Sequence, residues 1–157
     1  MTAARVFATL EEFKGIAGQE IGTSDWITVT QEQINLFADA TGDHQWIHVD
    51  PVLAAQGPFG KPIAHGYLTL SLLPVFGSQI YEIADVIMGV NYGANKIRFP
   101  HPVPVDSRVR ATASLKETTD IAIGTQCVVS FVVEIEGVEK PAVIAEVVYV
   151  MAAAPSA

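Results

Sequence analysis

Cysteine is almost missing from this chain: Cys127 stands alone among 157 residues. A single thiol forms no internal disulfide, which fits a reducing compartment. None is needed, because a chain of this length buries roughly 70% of the surface its unfolded form exposes. Positive charge is scarce too. Nine Lys and Arg face seventeen Asp and Glu, for a formal net charge of −8, and a nucleic-acid surface needs the opposite balance. Met1–Leu10 carries no secretory signal. The longest apolar run, Ile63–Tyr81, is broken by His65, Ser71, Pro74 and Gln79 and lacks basic flanks, so it does not read as a membrane span. The expectation is a soluble, cytoplasmic protein with no membrane and no nucleic-acid partner. HExxH and GxSxG patterns are also missing, as are internal repeats and linkers.

What is present is the composition of a globular folder: half the residues are hydrophobic and 17% are charged, which argues against disorder. One domain over residues 1–157 is expected, with 152–157 a frayed tail of small residues and a proline. The first half reads helical. A short helix is expected over Phe7–Gly18 and a strand over Asp25–Thr30. Thr30 is a candidate N-cap whose capping box is completed by Gln33. Ile34 and Phe37 share a face of that helix, and Gly42 is placed to stop it. Asp50-Pro51 opens another helix, with the acid as cap and proline in the first turn. The seven residues between, Asp43–Val49, read as a polar and aromatic loop.

Ile63–Tyr81 reads as one buried central helix, with Leu68, Leu72, Val75 and Phe76 on its inner face. Pro74 removes the hydrogen bond to the Leu70 carbonyl, which predicts a bend or break. The second half reads as strands at Val86–Tyr92, Lys96–Phe99, Arg108–Lys116, Ile121–Glu136 and Ala142–Met151, punctuated by Pro100, Pro102, Pro104, Gly124 and Gly137. Cys127, Val129, Phe131, Val133 and Ile135 fall on one face, so the thiol is expected in the core. The last strand is apolar on both faces, as for a strand covered twice. One apolar helix and about five sequential strands predict an α+β architecture, an antiparallel sheet wrapped around the helix.

Two stretches can carry chemistry. In Thr41–Pro51, TGDHQWIHVDP, Asp43 and His48 sit in one short connection. A carboxylate and an imidazole held together can share a water, one taking a proton while the other gives one. The alternative is that Asp43 caps a turn and His48 packs on Trp46. In Pro62–Ser71, PIAHGYLTLS, Gly66 stands near a helix start, where free N–H groups can polarise a carbonyl. The alternative is that Gly66 only permits close packing.

Taken together these stretches resemble the MaoC-like dehydratase family, which includes the (R)-specific enoyl-CoA hydratases. Its signature pairs a G-D-x-N-P-x-H-x-D-P-x-x-A segment with a downstream H-G-x-x-x-x-S. Here the matches are Gly42, Asp43, His48, Asp50, Pro51 and Ala54, then His65, Gly66 and Ser71. The stretch NYGANKIRFPHPVPVDSRVR from Asn91 is similar to the NodN-like branch. The resemblance implies a hot-dog fold over residues 10–150, a homodimer and an acyl-CoA thioester substrate. No cofactor is implied beyond coenzyme A as part of the substrate, and no metal. It implies Asp43 and His48 as the water-activating dyad and the Gly66 N–H as donor to the thioester carbonyl. His65, Ser71, Trp46, Asn95 and Lys96 are expected around the substrate. Gln45-Trp46 replaces the usual Asn-Pro, which bears on the acyl pocket.

Rival readings come from other classes. A metal hydrolase would use His44 and His48, four apart, with Asp43, Asp50 and His65. A hot-dog thioesterase would place a carboxylate on the central helix, yet Ile63–Ile80 contains no Asp or Glu. A dehydratase acting on acyl carrier protein, or a non-catalytic acyl-thioester-binding subunit, would share the fold. Lys96, Arg98, Arg108 and Arg110 cluster along the chain, which fits a solvated strand edge better than a phosphate site. His101, between two prolines, reads as a surface loop residue.

Overall fold

The computed structural model describes residues 3–155. Five strands long enough to matter lie in one antiparallel sheet in the order β2-β6-β7-β8-β5, with a two-residue strand β3 paired to β6. They are β2 (Gln19–Thr23), β3 (Ile27–Thr28), β5 (Val86–Arg98), β6 (Arg108–Ile121), β7 (Gly124–Ile135) and β8 (Val143–Ala153). A separate parallel pair joins β1 (Arg5–Phe7) to β4 (Tyr81–Ile83). The alternating residues of β6 and β7 turn Val109, Ala111, Ala113, Leu115, Cys127, Val129, Phe131 and Val133 inward, all fully buried. The helices close over that face.

The central helix is two helices, α5 (Gly66–Ser71) and α6 (Leu73–Ile80), with Leu72 between them. Pro74 falls in the first turn of α6, where its missing N–H costs least. Leu68, Leu72, Leu73, Phe76 and Ile80 join the sheet's inner face in one core cluster. Val75, expected on that face, is exposed, because the break at Leu72 leaves Leu73, Phe76 and Ile80 as the inner row. The wrapping of an antiparallel sheet around this segment is the expected hot-dog arrangement. No helix among the described residues is long and apolar enough to cross a membrane.

Several elements differ from expectation. The first helix, α1, is only Leu10–Lys14, capped by Thr9, and the residues before it pair as β1. The strand expected over Asp25–Thr30 shrinks to β3, paired at Val109 and Arg108. Val86–Arg98 is one strand, not two: it pairs with β8 throughout, and register shifts at three places absorb the extra residues. β8 runs through Ala152 and Ala153, placed in the tail by composition but paired with Met88 and Val86. Thr30 caps α2 (Gln31–Thr41) as expected, accepting from the Gln33 N–H. The return half of the box is not made, since Gln33 Oε1 is buried without a partner.

Candidate active site

Gly42 ends α2 in the left-handed conformation, φ 82°, a position open to glycine at no steric cost. The chain then folds Trp46–Val49 into a single helical turn, α3, where a loop was expected. Its closing bonds are local, His48 N–H to Gln45 O at 3.0 Å and Asp50 N–H to Trp46 O at 3.0 Å. Four residues are too few to show a periodic pattern, which is why the turn was illegible. Asp50 then caps α4 (Pro51–Gln56), its Oδ1 accepting from Val52 and Leu53 N–H at 3.0 Å each.

His48 is fixed from both ends. Gln31 Nε2 donates to its carbonyl at 2.8 Å. Its ring Nδ1 lies 2.7 Å from the Ile63 carbonyl. A carbonyl only accepts, so Nδ1 carries the hydrogen and Nε2 keeps its lone pair. Ile63 is itself held, its N–H bonding the Ile47 carbonyl at 3.0 Å, while Ala64 N–H reaches Val103 O at 2.8 Å. His48 is 6% exposed. Burial lowers its pKa below the usual 6.5; the Ile63 carbonyl opposes this, His65 adds to it and Asp43 opposes it. The ring is therefore neutral near pH 7.

Asp43 is exposed, and its carboxylate accepts only a long bond, 3.4 Å, from Gln45 N–H. One carboxylate oxygen of Asp43 and one ring nitrogen each of His48 and His65 lie mutually within 4.8 Å. No bond joins Asp43 to His48 directly among the described residues. Two groups hydrogen-bonded to one water sit about 4.6 Å apart, from bonds of about 2.8 Å at the tetrahedral angle. That limit leaves room for one water between the Asp43 carboxylate and a histidine. A metal ion lies in the plane of each imidazole that binds it. The His48 and His65 rings are stacked, centroids 3.9 Å apart and 24° from parallel, so their planes do not meet at one near point. The other ligands of the hydrolase reading are engaged elsewhere. His44 Nε2 lies 2.9 Å from Asp39 Oδ1 at the surface, and Asp50 caps α4.

His48 opens on a cleft of about 250 Å³ whose wall includes Gly66, Phe59, Phe99, His101 and Val103. Among the described residues the Gly66 N–H, in the first turn of α5, has no protein acceptor. A β-carbon at Gly66 would stand 3.1 Å from the Phe99 ring, so glycine keeps the space between helix start and ring open. His48 and Gly66 thus line one cavity. His101, a half-buried loop residue, lines it too. The pairing of Ile63 with Pro104 brings His101, Pro102 and Val103 into the wall of this cleft, a long-range contact with no sequence signal.

The other expected residues are not brought to that cleft. His65 is 2% exposed and turns Nε2 to the Asp43 carbonyl at 2.9 Å. Ser71 donates to the Tyr67 carbonyl of its own helix at 2.6 Å. It lines a different, larger cleft of about 490 Å³ with Leu70, Leu73, Asn91, Ile97 and Tyr149. Trp46 packs on Gly57, where a β-carbon would meet the indole at 2.8 Å, beside Leu53 and Gln56. Asn95 and Lys96 are exposed on the edge strand β5. Arg108 pairs with Glu136 at 2.9 Å and Arg110 with Glu134. Both guanidinium groups lie over Trp26, so neither is spare for a phosphate.

A profile described as MaoC like domain matches residues 12–138. A 3-hydroxyacyl-thioester dehydratase Z of Mycobacterium tuberculosis is 57% identical over 143 residues, covering 90% of this chain and 95% of the relative. Nodulation protein N of Rhizobium meliloti is 46% identical over 140 residues, covering 87% of each. Among solved structures, a monoamine oxidase regulatory protein of Archaeoglobus superposes with TM-score 0.77 at 26% identity, covering 98% of this chain and 99% of that one. An (R)-hydratase from A. caviae superposes with TM-score 0.70 at 22% identity, covering 86% and 98%, a likeness of fold. A matched profile over most of the chain, two long alignments and a shared hot-dog fold place this protein in the MaoC-like dehydratase family.

Proposed function

We propose that the protein is an (R)-specific enoyl-CoA hydratase, adding water reversibly across the double bond of a trans-2-enoyl thioester to give a 3-hydroxyacyl thioester. The observation that carries this is one cavity holding a neutral His48 with a free Nε2 and a helix-start amide without a partner, beside a carboxylate one water away. The thioester carbonyl, in conjugation with the double bond, leaves carbon 3 electrophilic. Asp43 orients the water, and His48 Nε2 takes one of its protons as the oxygen bonds to carbon 3. The π electrons move toward the carbonyl oxygen, which the Gly66 N–H stabilises as charge develops. His48 returns the proton to carbon 2, so the dyad ends as it began and one water has been added.

The 3-hydroxyacyl-thioester dehydratase at 57% identity supports an acyl-thioester substrate. Coenzyme A as carrier and the (R) hand belong to this proposal, as does a homodimer. β5 supports the dimer, being a sheet edge exposed over nearly its whole length, with Tyr92 69% exposed. A long apolar edge is what a second copy would pair with.

The test is loss of the conjugated thioester's ultraviolet absorbance with trans-2-enoyl-CoAs of several lengths. Wild type consumes them, and Asp43→Asn and His48→Gln each lose roughly 10²–10⁴ in rate. Equal turnover in wild type and both variants would overturn the dyad, and no turnover at any length would sink the CoA-hydratase reading. Enoyl thioesters of acyl carrier protein would then be tried next.

A further inference from the structure

We propose that His65 is a positioning residue, which holds the Asp43 backbone and the His48 ring in mutual register and touches no substrate. The inference rests on the hydratase reading and adds to it a third group that sets the dyad's geometry. His65 stands at the N-terminal end of α5, directly before Gly66. It is not among the residues that line the cleft beside Gly66.

Three contacts fix it. Nε2 lies 2.9 Å from the Asp43 carbonyl oxygen, so Nε2 carries the hydrogen and the ring is tied to the backbone of the very residue whose carboxylate must hold water. One ring face stacks on His48 at 3.9 Å. Phe37 from α2 lies against it at 4.9 Å and 50°. A single buried ring thus links α2, the Asp43 segment, α3 and the start of α5, four pieces that must agree before water, dyad and amide can meet.

The tautomer leaves Nδ1 as a bare lone pair, and that atom is buried with no partner. An orphaned buried acceptor is a cost that phenylalanine would avoid at similar volume. Its presence therefore calls for a role, and the hydrogen bond from the opposite ring nitrogen supplies one.

The contacts separate into two variants. His65→Phe keeps a stacked ring and loses the donor; His65→Gln keeps a donor amide and loses the aromatic face. With the enoyl-CoA assay, kcat of His65→Phe is expected to fall about 10²-fold, as for a small misplacement of reacting groups, with KM within about threefold. His65→Gln is expected to recover about tenfold of that loss. A rise in KM alone in either variant would mark a substrate contact and overturn the proposal. So would wild-type kcat in His65→Phe, or a loss in His65→Gln as deep as in His65→Phe. Nitrogen-detected imidazole NMR gives a readout that needs no turnover. Wild type should show His65 with hydrogen on Nε2 and His48 with hydrogen on Nδ1. Hydrogen on Nδ1 of His65 would overturn the proposal. If wild type hydrates no enoyl-CoA, the functional reading fails by itself and the NMR result still decides the placement of His65.

Discussion

His48 gains its base character from position, not from residue type alone. Burial withdraws water from the ring, and the Ile63 carbonyl takes the Nδ1 hydrogen, so the free lone pair is on Nε2. The pKa is lowered from 6.5, and the sign of the pH dependence follows. Between the native pKa and 6.5 the unfolded chain binds more protons than the native one, so stability rises with pH in that window. The penalty is complete below the native pKa and gone above 6.5. Activity should follow the same ring, with an acid limb in kcat/KM whose midpoint lies below 6.5. A rate profile between about pH 4.5 and 8 checks this, and the limb should be missing from the residual activity of His48→Gln. A midpoint above 6.5 would mean that a charge partner, not burial, governs the ring. Cys127, in contrast, has its thiol pushed up to about 11 by burial, which leaves it an unreactive core residue as its strand pattern indicated.

The helix termini around the site do two tasks at once. Asp50 closes α3 with its N–H and caps α4 with its carboxylate, so one residue sets where His48's turn ends and where the next helix begins. Replacing it by alanine should cost about 1 kcal/mol of stability, as typical for a lost cap, read from urea unfolding. Asp50→Asn should restore most of that. Turnover should fall further than stability does, because His48 lies two residues away on the turn that Asp50 closes. Equal rates in Asp50→Ala and wild type would mean that Gln31 and Ile63 hold His48 without this cap. At the other side of the site, Pro74 divides α5 from α6 while keeping Leu68 and Phe76 in one core, so the break does not cost the fold its central packing.

At the scale of the whole molecule, the unpaired edge is the unfinished part. β5 offers Ile87, Met88, Val90 and Tyr92 to solvent along a strand that pairs only with β8. The larger cleft, lined by Asn91, Gly93, Ala94 and Ile97 of the same strand, runs beside it. A stable dimer through this edge would bury about 800 Å² per partner. Like charges set into the proposed homodimer's edge should cost several kcal/mol, so light scattering at micromolar concentration is expected to read a dimer for wild type and a monomer for Val90→Glu with Tyr92→Glu. Equal masses for the two would overturn a dimer through this edge.

The caps, the dyad candidates and the inward face of β7 were legible in the sequence, because each is a local rule. Thr30, Gly42 and Asp50 act within four residues of where they stand, and Cys127, Val129, Phe131, Val133 and Ile135 obey a period of two. The break at Leu72 was legible for the same reason, since proline acts on its own turn. What only the tertiary structure decided depends on contacts between distant segments. Val86–Arg98 became one strand because β8 pairs along all of it. His101 reached the cleft because Pro104 pairs with Ile63, and Ser71, Trp46, Asn95 and Lys96 went elsewhere. His65 faces the Asp43 carbonyl for the same reason: a ring's direction is set by the neighbours that bury it, and those lie up to 28 positions away at Phe37. Residue spacing names the groups able to do chemistry; packing determines which of them meet.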